Sequence, residues 1–224
     1  MSKERKTITV KLFCSLKNSL CYTYVVGINE GENMMLRLGI DIDGTVTDPR
    51  TFVPYLNKSF NKSLTYEDLN QYDLTKVLNI TEEEFWVWMD KFEPIIYKEA
   101  PLALHAKNVL NEWKHQHELL FISARRKHLL DITHNWFNDQ DISYHHIELV
   151  GSHDKLEAVK NNKISIFFED KHDNACMISE EHQIPVILFN TPYNQDPIPK
   201  GVIRVNDWLE AKNWVNQWYD VKVL

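Results

Sequence analysis

The stretch LRLGIDIDGT, residues 36–45, decides the fold of this 224-residue chain. Residues 36–42 form a short apolar run, which predicts a buried β-strand, and the acidic residues Asp41 and Asp43 stand at its end. Downstream of it, short apolar runs alternate with segments that have helical spacing. This alternation predicts an α/β fold, with a Rossmann-like parallel sheet covered by helices on both faces.

The remaining elements follow from the same patterns. Further strands are predicted at residues 119–122, 147–150, 164–168, 184–189 and 202–205. Helices are predicted over residues 103–115 and 127–137. A short helix is predicted to begin near residue 154, and a separate one to end near residue 182. The last helix is predicted to follow the capping residue Asn206 or Asp207. Residues 35–48 and 101–224 would together form the core of the protein.

The region between the first strand and the next helix, residues 49–100, is predicted to be a small helical cap, since loops of that length without structure are uncommon. Pro54 favours one helical turn, and Thr65 and Thr81 each begin a pattern typical of a capping box. Pro94 and Pro101 are expected to interrupt the return to the core. Residues 1–34 differ from the rest, and we expect an extension that is disordered or absent from the native protein, with translation then starting at residue 34 or 35.

Composition and charge narrow the classes of function. The net charge of −7, without a basic stripe, disfavours binding of a nucleic-acid polymer, and no apolar run is long enough for a membrane span. The three cysteines are odd in number and include no Cys-x-x-Cys pair, which favours a reducing, cytoplasmic location without structural zinc or disulfides. A small anionic substrate remains compatible with this surface.

Polar residues fall where an open parallel sheet places its active site, at the carboxyl ends of strands. Ser123 ends one predicted strand, the pair Glu169–Asp170 ends another, and Lys155 lies in a loop after a third. Carboxylates brought together with Asp41 and Asp43 repel each other, by about 4 kcal/mol for unit charges about 4 Å apart at an effective dielectric constant of about 20. Oxygen ligands without nearby histidine or cysteine favour Mg²⁺ as the neutralising ion. An aspartate beside such an ion can attack phosphorus while a second acid moves protons.

These residues resemble the motifs of the haloacid dehalogenase (HAD) superfamily of phosphatases. The stretch DIDGTV (41–46) resembles the first motif, and Ser123, Lys155 and EDKHDN (169–174) follow in the family's order. The insertion directly after the first motif and the stretch FNTPYN (189–194) are similar to the cytosolic 5′(3′)-deoxyribonucleotidases and their bacterial nucleotidase relatives. The resemblance covers nearly all of residues 35–224.

The resemblance implies a role for each motif residue. Asp41 would be the nucleophile and Asp43 the general acid and base. Mg²⁺ would be held by the Asp41 carboxylate, the Asp43 backbone carbonyl and Asp170. Ser123 and Lys155 would hold the phosphoryl group.

Some assignments have alternatives. Lys160 and Lys163 compete with Lys155 as the phosphate-binding lysine. Many relatives have two aspartates in the fourth motif, whereas this chain has Glu169 followed by Asp170. The longer Glu169 side chain would still accept a hydrogen bond from water on the metal. Arg125 either contacts the substrate phosphate or caps the following helix, and the helix cap is the favoured interpretation.

The function implied is that of a Mg²⁺-dependent phosphomonoester hydrolase, a 5′-nucleotidase that acts on (deoxy)nucleoside monophosphates through an aspartyl-phosphate. Trp86, with Phe52 and Tyr55, would stack on the base, although a second buried face of the helix explains Trp86 equally well. Alternatives are a HAD phosphatase of a non-nucleotide metabolite, a phospho-acceptor receiver module and a binding protein with a decayed site. The sequence holds no signal for the oligomeric state.

Overall fold

The computed structural model describes residues 35–223, with side chains through residue 220, so the extension predicted for residues 1–34 lies outside the described residues. Six strands are present: β1 Arg37–Ile40, β2 Glu118–Ser123, β3 His146–Leu149, β4 Ile166–Glu169, β5 Val186–Phe189 and β6 Val202–Val205. They form one sheet in the order β3-β2-β1-β4-β5-β6, and every pairing is parallel. The predicted α/β fold class is confirmed.

The described residues also contain eight α-helices, which lie between the strands and after the last one. They are α1 Val53–Phe60, α2 Leu74–Leu78, α3 Glu82–Glu99, α4 Ala106–Trp113, α5 Leu130–Asp139, α6 Leu156–Asn161, α7 His172–His182 and α8 Trp208–Val223. None of the helices in the described part of the chain is long and apolar enough to cross a bilayer.

Both faces of the sheet are buried. Successive residues of β2 belong to different hydrophobic clusters, with Leu119 and Phe121 in one and Leu120 and Ile122 in the other. Successive side chains of a strand point to opposite faces, so the sheet has a core on each side. This explains why the strands are almost continuously apolar instead of alternating with polar residues.

The chain leaves the sheet after β1 and returns before α4, with α1, α2 and α3 in between. The two connecting segments lie side by side, because Thr47 and Leu102 form an antiparallel bridge and the Asp48 amide donates to the Pro101 carbonyl at 2.8 Å. The indole Nε1 of Trp136, on α5, donates to the Ala100 carbonyl at 2.8 Å. The segment that contains α1, α2 and α3, called the insertion below, therefore begins and ends at one place, above the carboxyl end of β1.

The predicted capping box at Thr65 is wrong, since no helix follows it. The Asp68 carboxylate accepts the Thr65 amide at 2.7 Å and the Thr65 hydroxyl at 2.8 Å, and these residues form a turn. At Thr81 the hydroxyl does accept the Glu84 amide, and α3 begins there as predicted.

Pro94, which was expected to interrupt the return to the core, lies inside α3, and the helix continues through it to Glu99. A proline inside a helix removes one backbone hydrogen bond. The buried residues Trp88 and Met89 before it and Ile96 and Tyr97 after it anchor both halves of α3. Packing thus outweighs the local cost of the proline.

Candidate active site

Asp41 leaves the end of β1 and is buried, with 5% of its surface exposed. The Lys155 ammonium donates to Asp41 Oδ1 at 2.5 Å and to Glu169 Oε2 at 2.8 Å. Lys155 directly precedes α6, whereas Lys160 and Lys163 lie at the opposite end of that helix. The structure therefore brings Lys155, and neither competitor, to the acidic residues.

Asp170 completes a cluster of three carboxylates. One oxygen each of Asp41, Glu169 and Asp170 lies within 4.8 Å of the others, and all three residues are buried. β1 and β4 are neighbours at the point where the strand order reverses, which is where open α/β sheets bind ligands. Gly44 is needed beside them, because its φ of +78° is left-handed and a Cβ would collide with the Asp170 carboxylate.

Burial and crowding perturb these acids. Loss of water raises the pKa of Asp41 to about 7, with the charges of Glu169 and Asp43 adding to the rise and Lys155 opposing it. Burial, Glu169 and Asp41 raise the pKa of Asp170 well above its usual value. Burial would lower the pKa of Lys155, but Asp41 and Glu169 outweigh it and raise that pKa. Three carboxylates beside one ammonium are an oxygen-only donor set that fits a hard divalent cation.

Asp43 lies beside this cluster but has a different partner. Arg125 Nε donates to Asp43 Oδ2 at 2.8 Å and Nη2 to Oδ1 at 2.7 Å, and 26% of the Asp43 side chain stays exposed. Ser123 ends β2 and is buried, and its hydroxyl accepts the Arg125 amide at 3.2 Å. The Arg125 side chain therefore does not cap a helix, contrary to the favoured interpretation.

A cleft of about 480 Å³ lies between the sheet edge and the insertion. Asp41, Asp43, Ser123, Lys155 and Asp170 line it on the sheet side, together with Glu169 and Arg125.

The insertion supplies the opposite wall of the cleft. Phe52 and Trp86 both line it, whereas Tyr55 does not and donates instead to the Glu99 carboxylate at 2.6 Å. Phe52 packs against Trp88 at 6.4 Å between ring centroids. Trp86 is 51% exposed, which contradicts the alternative of a second buried helix face.

Several aromatic residues that line the cleft were missed from the sequence, and two of them, Tyr193 and Tyr72, lie close to Asp170 and Lys171. The Tyr193 hydroxyl donates to Asp170 Oδ2 at 2.5 Å. The Tyr72 ring, from the insertion, meets Tyr193 edge-on at 5.7 Å and lies 4.4 Å from the Lys171 ammonium. Tyr193 belongs to the stretch at 189–194 that resembles the nucleotidases, whereas Tyr72 lies in a loop without any pattern.

Ion pairs join the insertion to the core at the rim of the cleft. Glu93, on α3, is 2% exposed and pairs with Arg126 and with His128 Nε2 at 3.2 Å. Asp90 pairs with Arg126 at 2.6 Å. On the other side, the Tyr72 hydroxyl lies 3.4 Å from His153 Nδ1. The charge of Arg126 is thus already neutralised by the insertion.

Known proteins resemble the chain both in sequence and in fold. No protein-family profile matches it. The Bacillus subtilis protein named "Putative nucleotidase YqfW" is 64% identical over 182 residues, covering 81% of this chain and 94% of that protein. A protein of Halalkalibacterium halodurans, also named a putative nucleotidase, is 59% identical over 81% of this chain and 93% of its own length.

Solved structures agree at the level of the fold. A haloacid dehalogenase-like hydrolase of Streptococcus pneumoniae superposes with a TM-score of 0.59 at 14% identity, over 81% of this chain and 98% of that chain. A HAD hydrolase of Bacillus subtilis, described as bound to magnesium, has a TM-score of 0.55 at 14% identity, over 82% of this chain and 100% of that one. The identities to the two relatives show that the chain belongs to the nucleotidase-like family those proteins represent, and the solved structures show that it has the fold of HAD-like hydrolases.

Proposed function

We propose that this protein is a Mg²⁺-dependent 5′-nucleotidase that hydrolyses (deoxy)nucleoside monophosphates through an aspartyl-phosphate on Asp41. The observation that carries the proposal is the buried Asp41 at the end of β1, held by Lys155 and crowded by Glu169 and Asp170. The names of the relatives support the nucleotide substrate. A cytoplasmic location is part of the proposal, and the odd number of cysteines, three, supports it because they cannot all pair in disulfides within the chain.

The proposed division puts the core at residues 35–48 and 101–224 and the cap at residues 49–100. The paired connecting segments support it, because they let the insertion attach to the core at one place. A cap over the cleft would exclude water while phosphorus is transferred.

The carboxylates of Asp41 and Asp170 and the Asp43 backbone carbonyl would hold Mg²⁺, with Glu169 accepting a hydrogen bond from its water. The ion would neutralise negative charge on the acids and on the phosphoryl oxygens. Lys155 and the Ser123 hydroxyl would hold the remaining phosphoryl oxygens, and the lining of the cleft by both residues supports this role.

In the first step an Asp41 oxygen would attack phosphorus, and the bond to the ester oxygen would break. Asp43 would give its proton to that departing oxygen. In the second step Asp43 would take a proton from water, which attacks the aspartyl-phosphate, and inorganic phosphate and free Asp41 result. Asp43 suits this exchange because its partly exposed carboxylate lines the cleft beside Asp41.

Two features of the described residues disfavour the receiver alternative. Receivers place their phosphorylated aspartate on a later strand and have no helical insertion after the first strand. Here the buried aspartate follows β1, and α1 to α3 come next.

A screen of phosphorylated metabolites tests the proposal. The purified protein should release phosphate from nucleoside monophosphates with Mg²⁺, and lose this activity with a chelator. Asp41→Asn is the matched control for a contaminating phosphatase. Release from sugar phosphates alone would favour a non-nucleotide metabolite, and release from no substrate would contradict a phosphatase.

A further inference from the structure

The Arg125 guanidinium is the most completely engaged cation of the cleft. Its side chain has no exposed surface. Nε and Nη2 donate to both oxygens of Asp43, and Nη1 donates to the Thr133 hydroxyl on α5 at 3.1 Å. This fork-shaped pairing sets the position of a carboxylate more strictly than a single contact does.

One face of the guanidinium is covered by the insertion. Its central carbon lies 4.2 Å from the ring centroid of Tyr97, which is a cation–π contact. Tyr97 is 8% exposed, lies on α3 and meets Phe52 edge-on at 6.2 Å. Arg125 thus connects Asp43, on the core, to α3, on the insertion.

Without Arg125, the position of the Asp43 carboxylate would be poorly fixed. The Asp41 carboxylate repels that of Asp43, whereas Lys155 is already bonded to Asp41 and Glu169. Arg125 offsets that repulsion and fixes the orientation of the carboxylate. Three of its five N–H groups are bonded to Asp43 and Thr133, one face is covered by Tyr97 and the side chain has no exposed surface, which disfavours a direct contact of Arg125 with a substrate phosphate.

We propose that Arg125 and Tyr97 are positioning residues, which hold the Asp43 carboxylate ready for proton transfer while α3 is seated on the core. The idea rests on the proposed function, and it gives Arg125 an action through Asp43 in place of the two sequence-based alternatives, a helix cap and a contact with the substrate phosphate. Thr133 fixes the guanidinium from the core side, and Tyr97 does so from the insertion.

The dependence on the leaving group is the test. An alkyl phosphate such as a nucleoside monophosphate needs its leaving oxygen protonated, whereas p-nitrophenyl phosphate needs little protonation. Arg125→Lys keeps the charge but loses the forked pairing. It should lower kcat for the nucleotide by roughly 10- to 100-fold, a part of the general acid contribution, and for the aryl phosphate by less than about threefold, with KM nearly unchanged. In the Asp43→Asn background, Arg125→Lys should cause no further loss.

Tyr97 provides a second pair of variants should Arg125→Lys fold poorly, as judged by thermal unfolding. Tyr97→Leu should show the same selective loss on the nucleotide, and Tyr97→Phe, which retains the ring, should restore the ratio of the two rates. Equal losses on both substrates would overturn the proposal in favour of a structural role. A raised KM for both would overturn it in favour of direct substrate binding.

The wild-type enzyme separates this idea from the proposed function. If it hydrolyses neither substrate with Mg²⁺, the function fails and the inference with it. If it hydrolyses both and Arg125→Lys shows no selectivity, only the inference fails.

Discussion

Asp41 and Asp43 are two positions apart in the chain, yet their carboxylates have different partners. Asp41 is bonded to Lys155 inside the acidic cluster, whereas Asp43 accepts two hydrogen bonds from Arg125 beside it. The proposed mechanism gives attack on phosphorus to the first and proton transfer to the second. Removing each charge should therefore have a different effect.

Asp41→Asn should abolish the covalent intermediate and lower kcat by several orders of magnitude, because an amide is neither an anionic nucleophile nor a good ligand for Mg²⁺. Asp43→Asn should lower kcat for nucleotides by ~10²–10⁴-fold and for aryl phosphates by less. Fluoroberyllate, observed by fluorine NMR, should still bind to Asp43→Asn and not to Asp41→Asn. Near-normal turnover of Asp41→Asn would instead indicate attack by water directly.

At the scale of elements, α3 brings several parts of the site together. Its first turns place Trp86 at the cleft, its middle holds Glu93 against Arg126, and its last turns place Tyr97 on Arg125. The capping box at Thr81 determines where the helix begins, and the buried side chains determine which of its faces packs against the rest of the protein. One helix of the insertion therefore combines the base-stacking candidate with the contacts to the core.

Replacing Trp86 or Phe52 by alanine should raise KM for nucleotides more than for p-nitrophenyl phosphate. Stacking on an aromatic ring is worth about 1–3 kcal/mol per base, and 1.4 kcal/mol corresponds to about a tenfold change in binding. Steady-state kinetics on both substrates measure the difference. Val87→Ala is a matched control, because Val87 is 67% exposed on the same helix and does not line the cleft. Equal changes in both KM values would argue against base stacking.

At the scale of the whole molecule, the acidic cluster makes stability depend on pH and on a cation. The folded-state pKa values of Asp41 and Asp170 lie above their ordinary values. These two carboxyl groups then bind more protons in the folded protein than in the unfolded chain between about pH 4 and about pH 7, which span the ordinary and the raised pKa of Asp41. Their contribution to stability therefore falls as the pH rises through that range.

The midpoint of thermal unfolding without divalent cations should therefore be lower at pH 7.5 than at pH 5.5, as far as this cluster contributes. Mg²⁺ should raise the midpoint, and more at pH 7.5, because it binds the ionised carboxylates of the folded state. Circular dichroism melts with MgCl₂, or with KCl at equal ionic strength, measure both effects. Asp170→Asn should reduce both the pH dependence of the midpoint and its increase with Mg²⁺. Melting that Mg²⁺ leaves unchanged at both pH values would contradict a cation site.

Local patterns in the sequence were sufficient to predict the order of strands and helices in the core, but not in the insertion, where no helix follows Thr65 and α2 was not predicted. β6 spans the predicted residues 202–205, and α3 begins after Thr81. Hydrophobic periodicity and helix caps involve residues only a few positions apart, so a single sequence records them. The convergence of Asp41, Ser123 and Asp170 was predictable as well, because parallel strands bring their carboxyl ends to one edge of a sheet.

The partners of charged and aromatic side chains were decided by the tertiary structure alone. Arg125 is 82 positions from Asp43, and Tyr72 reaches the site from a loop without any pattern. Which of three nearby lysines meets Asp41 depends on where α6 lies against the sheet. An ion pair or a ring contact depends on distance through space, and that distance exists only once the sheet and the insertion have packed together.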